Sequence, residues 1–254
     1  MSILDRWYQK SHISFAVGWI VAYVVLSSVA DNVSKTVGVA KLVTALVQLA
    51  MSLALWGWVR HAGVGESLGM RSPRVPASRM LLYLPLAVMA TKKIWPGLAM
   101  NGSALEGVCW VASMCCVGFL EELIFRGLLF RAMEPDGRTS AIVVSSLTFG
   151  IGHIVNLVNG SGQSRLETLA QVVYAVAAGF MLVLVLLKGG SIWPCVGFHM
   201  VNNALSFFES ETATTALFGS YHLAVVISSA TSIAVAVLYI VWLLRLPDAE
   251  PARR

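Results

Sequence analysis

The chain has 254 residues, is 57% hydrophobic and only 12% charged, and carries a formal net charge of +5. Soluble domains hold about 25% charged residues, so this composition excludes a water-soluble fold and makes the membrane span, about 20 apolar residues, the natural unit. The positive balance does not indicate a nucleic-acid partner, because Lys and Arg are scattered through short loops instead of forming a phosphate-binding patch.

In chain order, eight spans are expected, at about 13–30, 38–59, 80–100, 107–131, 139–158, 167–187, 191–209 and 221–245. Together they predict one all-α, polytopic membrane domain over residues 1–254. The first run has no small-residue cleavage site and is followed by Asp31-Asn32, so it reads as a retained span. Between Arg60 and Arg79, the residues Gly63, Gly65, Gly69, Pro73 and Pro76 predict an irregular connection. The third span is the weakest. Lys92 and Lys93 interrupt it between Pro85 and Pro96, which predicts a short or bent element with its lysines snorkelling toward headgroups. A polar turn is expected at Ser161-Gly162-Gln163-Ser164. The seventh span is short and opens Ser191-Ile192-Trp193-Pro194, with proline tolerated in a first helical turn. Cys109, Cys115, Cys116 and Cys195 all lie in apolar runs without metal or disulfide spacing and read as packing residues.

With the N-terminus inside, twelve basic residues (Arg6, Lys10, Arg60, Arg71, Arg74, Arg79, Arg131, Arg138, Lys188, Arg245, Arg253 and Arg254) fall inside. Five (Lys35, Lys41, Lys92, Lys93 and Arg165) fall outside, which places both termini in the cytoplasm.

The fourth span carries Glu121, Glu122 and Arg126 within six residues. Each ionised group at bilayer depth costs roughly 2.5–3.5 kcal/mol, so a function is expected of them. On a helix Arg126 shares a face with Glu122, and the pair is expected to neutralise Glu122. Glu121, about 100° away, is expected to face a cavity as a general base. In the fifth span Phe149 and His153 share a face, and Gly150 and Gly152 are expected to admit a neighbouring helix closely. In the seventh, His199 and Asn203 lie one turn apart, a donor pair suited to a developing oxyanion.

The ordered combination E-E-x-x-x-R, F-x-x-x-H and H-x-x-x-N, each on its own span, resembles the CAAX prenyl protease and bacteriocin-processing family, also called the type II CAAX endopeptidase or Abi family. The resemblance covers the core from about 107 to 209. It implies peptide-bond hydrolysis inside a bacterial plasma membrane. Glu121 would be the catalytic glutamate, with His153 beside it to activate water. His199 and Asn203 would stabilise the tetrahedral intermediate, and Glu122, Arg126 and Phe149 would support them.

Zinc remains open at this level. Glu121, His153 and His199 could hold it with one free position, although the spacing is not H-E-x-x-H. A water activated by Glu and His needs no metal, and that mechanism is favoured. The expected partners are a peptide or membrane-protein substrate, presented at the cytoplasmic side or from within the bilayer, and the lipid itself. The alternatives are a non-catalytic bacteriocin-immunity or scaffold protein and a proton-coupled transporter, for which the halves show no pairing.

Overall fold

The computed structural model describes residues 2–157 and 164–249. Of the polar turn expected at 161–164, only Ser164 lies within them. The helices are α1 (Ile3–Lys10), α2 (His12–Val37), α3 (Leu42–Ala62), α4 (Leu84–Thr91), α5 (Ala104–Glu122) and α6 (Phe130–Met133). They continue with α7 (Arg138–Gly152), α8 (Arg165–Gly189), α9 (Trp193–Ala204), α10 (Glu211–Phe218) and α11 (Tyr221–Leu244). A π-helical stretch, Leu123–Leu129, joins α5 to α6 in one rod. Among the described residues there is no strand, only an isolated antiparallel bridge between Leu98 and Glu209.

Serines start many of these helices by accepting a backbone N–H that has no partner in the first turn. Ser103 with Glu106 and Ser164 with Glu167 form reciprocal capping boxes at α5 and α8. Gly38, Gly63 and Gly190 end α2, α3 and α8 in the left-handed conformation.

Six helical segments are long and apolar enough to cross a membrane: His12–Val37, Leu42–Ala62, Ala104–Met133, Arg138–Leu157, Arg165–Gly189 and Tyr221–Leu244. The count of eight is not reproduced by length. The expected third span breaks into a 3-10 turn at Ala77–Tyr83, the eight-residue α4 and a second 3-10 turn at Lys92–Ile94. The expected seventh is the twelve-residue α9 followed by a 3-10 turn at Leu205–Phe208. Twelve α-helical residues rise only about 18 Å, short of the roughly 30 Å hydrocarbon thickness. Both broken segments nevertheless run between the same two ends of the bundle as the long helices. At one end Arg74 N–H donates to the Gly189 carbonyl and Ile192 N–H to that of Gly69. At the other, Ala99 and Asn101 N–H donate to the carbonyls of Phe208 and Phe207.

Neither terminus strays from the first of these ends. Asp5 caps α1 and accepts from Trp58 Nε1 at 3.1 Å, while Asp248 meets Lys188 Nζ at 2.8 Å and Arg138 Nη2 at 2.5 Å. The opposite, far end gathers the α2–α3 turn, the start of α5, the start of α8 and the start of α11; Ala40 N–H reaches Glu106, and Tyr221 Oη reaches Glu167.

The outer helices present apolar faces to their surroundings. Val17, Val21, Val25 and Val29 form an exposed stripe at one-turn spacing on α2, and Leu223, Val237, Leu238 and Leu244 are exposed on α11. In water such faces would be a liability; against lipid they cost nothing. The chain is an integral membrane protein of helical-bundle type. Inside, close approach is set by small residues. A Cβ on Gly118 would lie 2.7 Å from the Met200 nitrogen, and one on Gly150 would lie 2.6 Å from the Val176 nitrogen. Gly118 therefore seats α9 on α5, and Gly150 seats α8 on α7. Gly152, expected to do the same, has nothing within 4 Å of such a Cβ, because α7 gives way there to a 3-10 turn at His153–Leu157.

Candidate active site

The rod formed by α5, the π stretch and α6 carries both glutamates at its π junction. Extra-wide π turns occur mostly as local features near functional sites. Here the junction is reinforced from α7, whose Ser145 hydroxyl donates to the Phe125 carbonyl at 2.9 Å. Glu121 and Glu122 close α5, and Arg126 lies in the π stretch.

Arg126 and Glu122 are both fully buried and pair at 3.2 Å, as the four-residue spacing suggested. The guanidinium also lies 4.1 Å from the centroid of the Phe149 ring, a cation–π contact in a site without water to compete. Phe149 is a hub. Its ring meets His153 at 5.4 Å and His199 at 5.8 Å, each edge to face, so one aromatic side chain orders the cation and both imidazoles.

His199 stands between the two carboxylates. Its Nδ1 is 2.8 Å from Glu122 Oε1, and its Nε2 is 3.4 Å from Glu121 Oε2. A buried carboxylate on one imidazole nitrogen fixes the ring's orientation and decides which nitrogen faces the other group. The result is a buried chain, Arg126–Glu122–His199–Glu121.

Glu121 does not face a cavity freely, as expected from its position on the helix. Its Oε1 accepts from the Tyr23 hydroxyl at 2.6 Å, and its Oε2 turns to His199. Tyr23 comes from α2, and a polar ladder sets its depth. On α2, Ser27 lies one turn on from Tyr23 and accepts from Gln48 of α3 at 3.1 Å; Gln48 in turn accepts from Ser113 of α5 at 2.7 Å. Sequence reasoning missed Tyr23. Its one signal, a tyrosine a turn before a serine in an apolar run, is also what ordinary packing produces.

A cavity of about 590 Å³ opens beside this chain. His199, Phe149, His153 and Asn203 line its inner part, and it extends to Trp95, Glu167, Glu209 and Tyr221 at the far end of the bundle. Asn203 accepts from Asn202 Nδ2 at 3.2 Å through its Oδ1, which leaves its own NH2 group to donate elsewhere. His153 Nδ1 lies 3.1 Å from the Phe149 carbonyl, so its Nε2 is the nitrogen left for the cavity. Two further wall residues run against expectation. Lys92 and Lys93 line the cavity instead of snorkelling outward, because the broken third segment turns them inward.

Residues 102–205 match the family model described as type II CAAX prenyl endopeptidase Rce1-like. The match bears out the resemblance carried by the motifs, and the Rce1-like segment contains Glu121, Glu122, Arg126, Phe149, His153, His199 and Asn203. At family level it marks the chain as a membrane endopeptidase. Tyr23, Lys92 and Lys93 lie outside it. No curated protein and no solved structure matches the chain.

The zinc set Glu121, His153 and His199 is not assembled as expected. Among the described residues no three His, Cys, Asp or Glu side chains gather as a metal-ligand group, and His153 is engaged at its own helix end instead of meeting Glu121. The side chains present do not fit a zinc centre of that composition.

Proposed function

We propose that the protein is an intramembrane endopeptidase that hydrolyses a peptide bond with water activated at Glu121. The observation that carries this reading is the buried chain Arg126–Glu122–His199–Glu121 ending beside a cavity lined by His153, His199 and Asn203. Arg126 and Phe149 hold Glu122, and Glu122 holds His199 through Nδ1. Glu121, steadied by Tyr23, takes the proton of the attacking water, and His153 helps to align that water from the opposite wall. The carbonyl carbon becomes tetrahedral. Its oxygen gains charge, which His199 Nε2 and the Asn203 amide meet from one face of α9. Proton return from Glu121 to the leaving amine breaks the C–N bond.

The substrate in this reading is a peptide or the tail of a membrane protein, in line with the endopeptidase description of the family. With both termini in the cytoplasm of a bacterial plasma membrane, the cavity mouth faces the other side of that membrane. Substrate then enters from that side or laterally from the bilayer, in place of the cytoplasmic entry expected from sequence. Reporter fusions at Ala249 and at the α2–α3 turn test the orientation.

The decisive test compares cleavage of a randomised peptide pool by the full chain in nanodiscs with cleavage by Glu121→Ala and His199→Ala. A positioned general base contributes about 10²–10⁴-fold, so each variant should lose at least two orders of magnitude. Equal cleavage by all three proteins would remove the enzyme from these residues.

A further inference from the structure

Two lysines inside a mostly apolar cavity need an explanation that the hydrolytic residues do not supply. Both lie in the 3-10 turn Lys92–Ile94, which a lysine at membrane depth would normally use to send its ammonium out to the headgroups. Instead Lys92 Nζ donates to the Ser232 hydroxyl of α11 and lies 4.6 Å from the centroid of the Tyr174 ring on α8. Lys93 lines the same wall.

Neither ammonium is neutralised by direct contact. The ion pairs of the described residues include neither lysine. The acids along the cavity are Glu167 and Glu209. Glu167 is committed to the Ser164 N–H at 2.7 Å and the Tyr221 hydroxyl at 3.0 Å. Glu209 acts on both lysines from beyond ion-pair distance. Beside them the Tyr174 hydroxyl is buried and has no hydrogen-bond partner among the described residues. Two cations and a spare phenolic donor on one wall form a receptor for an anion that the protein does not itself provide.

We infer that Lys92, Lys93 and Tyr174 form a carboxylate-binding subsite for the peptide substrate. Tyr174 lies one helical turn from Ala178, another wall residue of the same cavity, so an anchored carboxylate shares its chamber with His199 and Asn203. The subsite deepens the peptidase reading and rests on it for the identity of the ligand as a peptide. A carboxylate can come from a free C-terminus or from an Asp or Glu side chain, and both offer the same chemistry.

The test is retention, which needs no turnover. The full chain with Glu121→Gln, immobilised in phosphatidylcholine nanodiscs, is offered randomised decapeptides made once as C-terminal acids and once as C-terminal amides, and bound peptides are counted by mass spectrometry. Acids should be retained about tenfold more than amides, a typical gain for a charge-assisted contact. A terminal-carboxylate source predicts this excess whatever the residue types. A side-chain source predicts Asp- and Glu-enriched peptides retained from both pools. Either pattern should collapse toward unity in Lys92→Gln/Lys93→Gln and survive in Lys92→Arg, with thermal unfolding in detergent confirming that the variants fold. Equal retention of acids and amides without acidic enrichment in the unaltered lysine background, including the case in which a lipid phosphate occupies the wall, would overturn the subsite. Cleavage lost only on changing Glu121 or His199, with that same equal retention, would leave the hydrolase standing and the subsite refuted.

Discussion

The Rce1-like segment and the chain outside it contribute different things to one site. Residues 102–205 bring the acids, the arginine, both imidazoles and the carboxamide. The segments before it bring Tyr23, which holds Glu121, and Lys92 and Lys93, which line the approach. Chemistry that recurs as a motif is compact in sequence because a few helix faces must present it. The groups that orient a carboxylate or select a substrate are free to come from any helix that packs alongside. The contrast teaches that a family match marks where bonds change, and that the neighbouring helices determine how firmly the reacting groups are held.

The comparison breaks most severely at the buried pair. Arg126→Ala strands Glu122 at zero exposure, and losing one partner of such a pair should destabilise the fold by about 3–5 kcal/mol, seen as a large fall in thermal midpoint in detergent. The next effect is at the α5–α9 contact. Gly118→Ala sets a methyl against the backbone of Met200, and overpacking should cost about 1–3 kcal/mol while separating His199 from the glutamates. If stability is unchanged and cleavage intact, α9 is not seated on α5 as described.

The smallest expected effect lies far from the chemistry, at the terminal end. Burial pushes Asp248 up, but hydrogen bonds from Lys188 and Arg138 outweigh it and hold its carboxyl below the usual range. A depressed carboxylate stabilises the fold above its unfolded pKa and loses that contribution as pH falls through the folded value. Asp248 is partly exposed, so Asp248→Asn should cost under about 1 kcal/mol near neutral pH, and the two proteins should converge below about pH 4. A constant gap across that range would show that the aspartate acts through packing instead.

How far the sequence foretold these features varies by residue. Glu121, Glu122 and Arg126 stood out because ionised groups at depth are costly, and the four-residue spacing correctly paired Arg126 with Glu122. The π junction was hidden, since its residues are as apolar and as helix-compatible as those of an ordinary turn. Lys92 and Lys93 signalled a break in the third segment, but their inward direction depends on α8 and α11 leaving a cavity there. Gly150 and Gly152 looked alike in sequence, and only the change to a 3-10 turn at His153 separates the one that packs from the one that does not. Tyr23 had no chemical partner in its own neighbourhood, because Glu121 lies 98 residues away.

That long-range contact gives the most direct measurement, a double-mutant cycle on peptide hydrolysis between Tyr23→Phe and Glu121→Gln. A hydrogen bond to a charged group is worth about 1.5–3 kcal/mol, so removing the Tyr23 hydroxyl should slow the intact enzyme by roughly tenfold to a hundredfold. In the Glu121→Gln background the same substitution should have almost no further effect. Equal slowing in both backgrounds would mean that Tyr23 supports the fold alone and that Glu121 is not the group it positions for reaction.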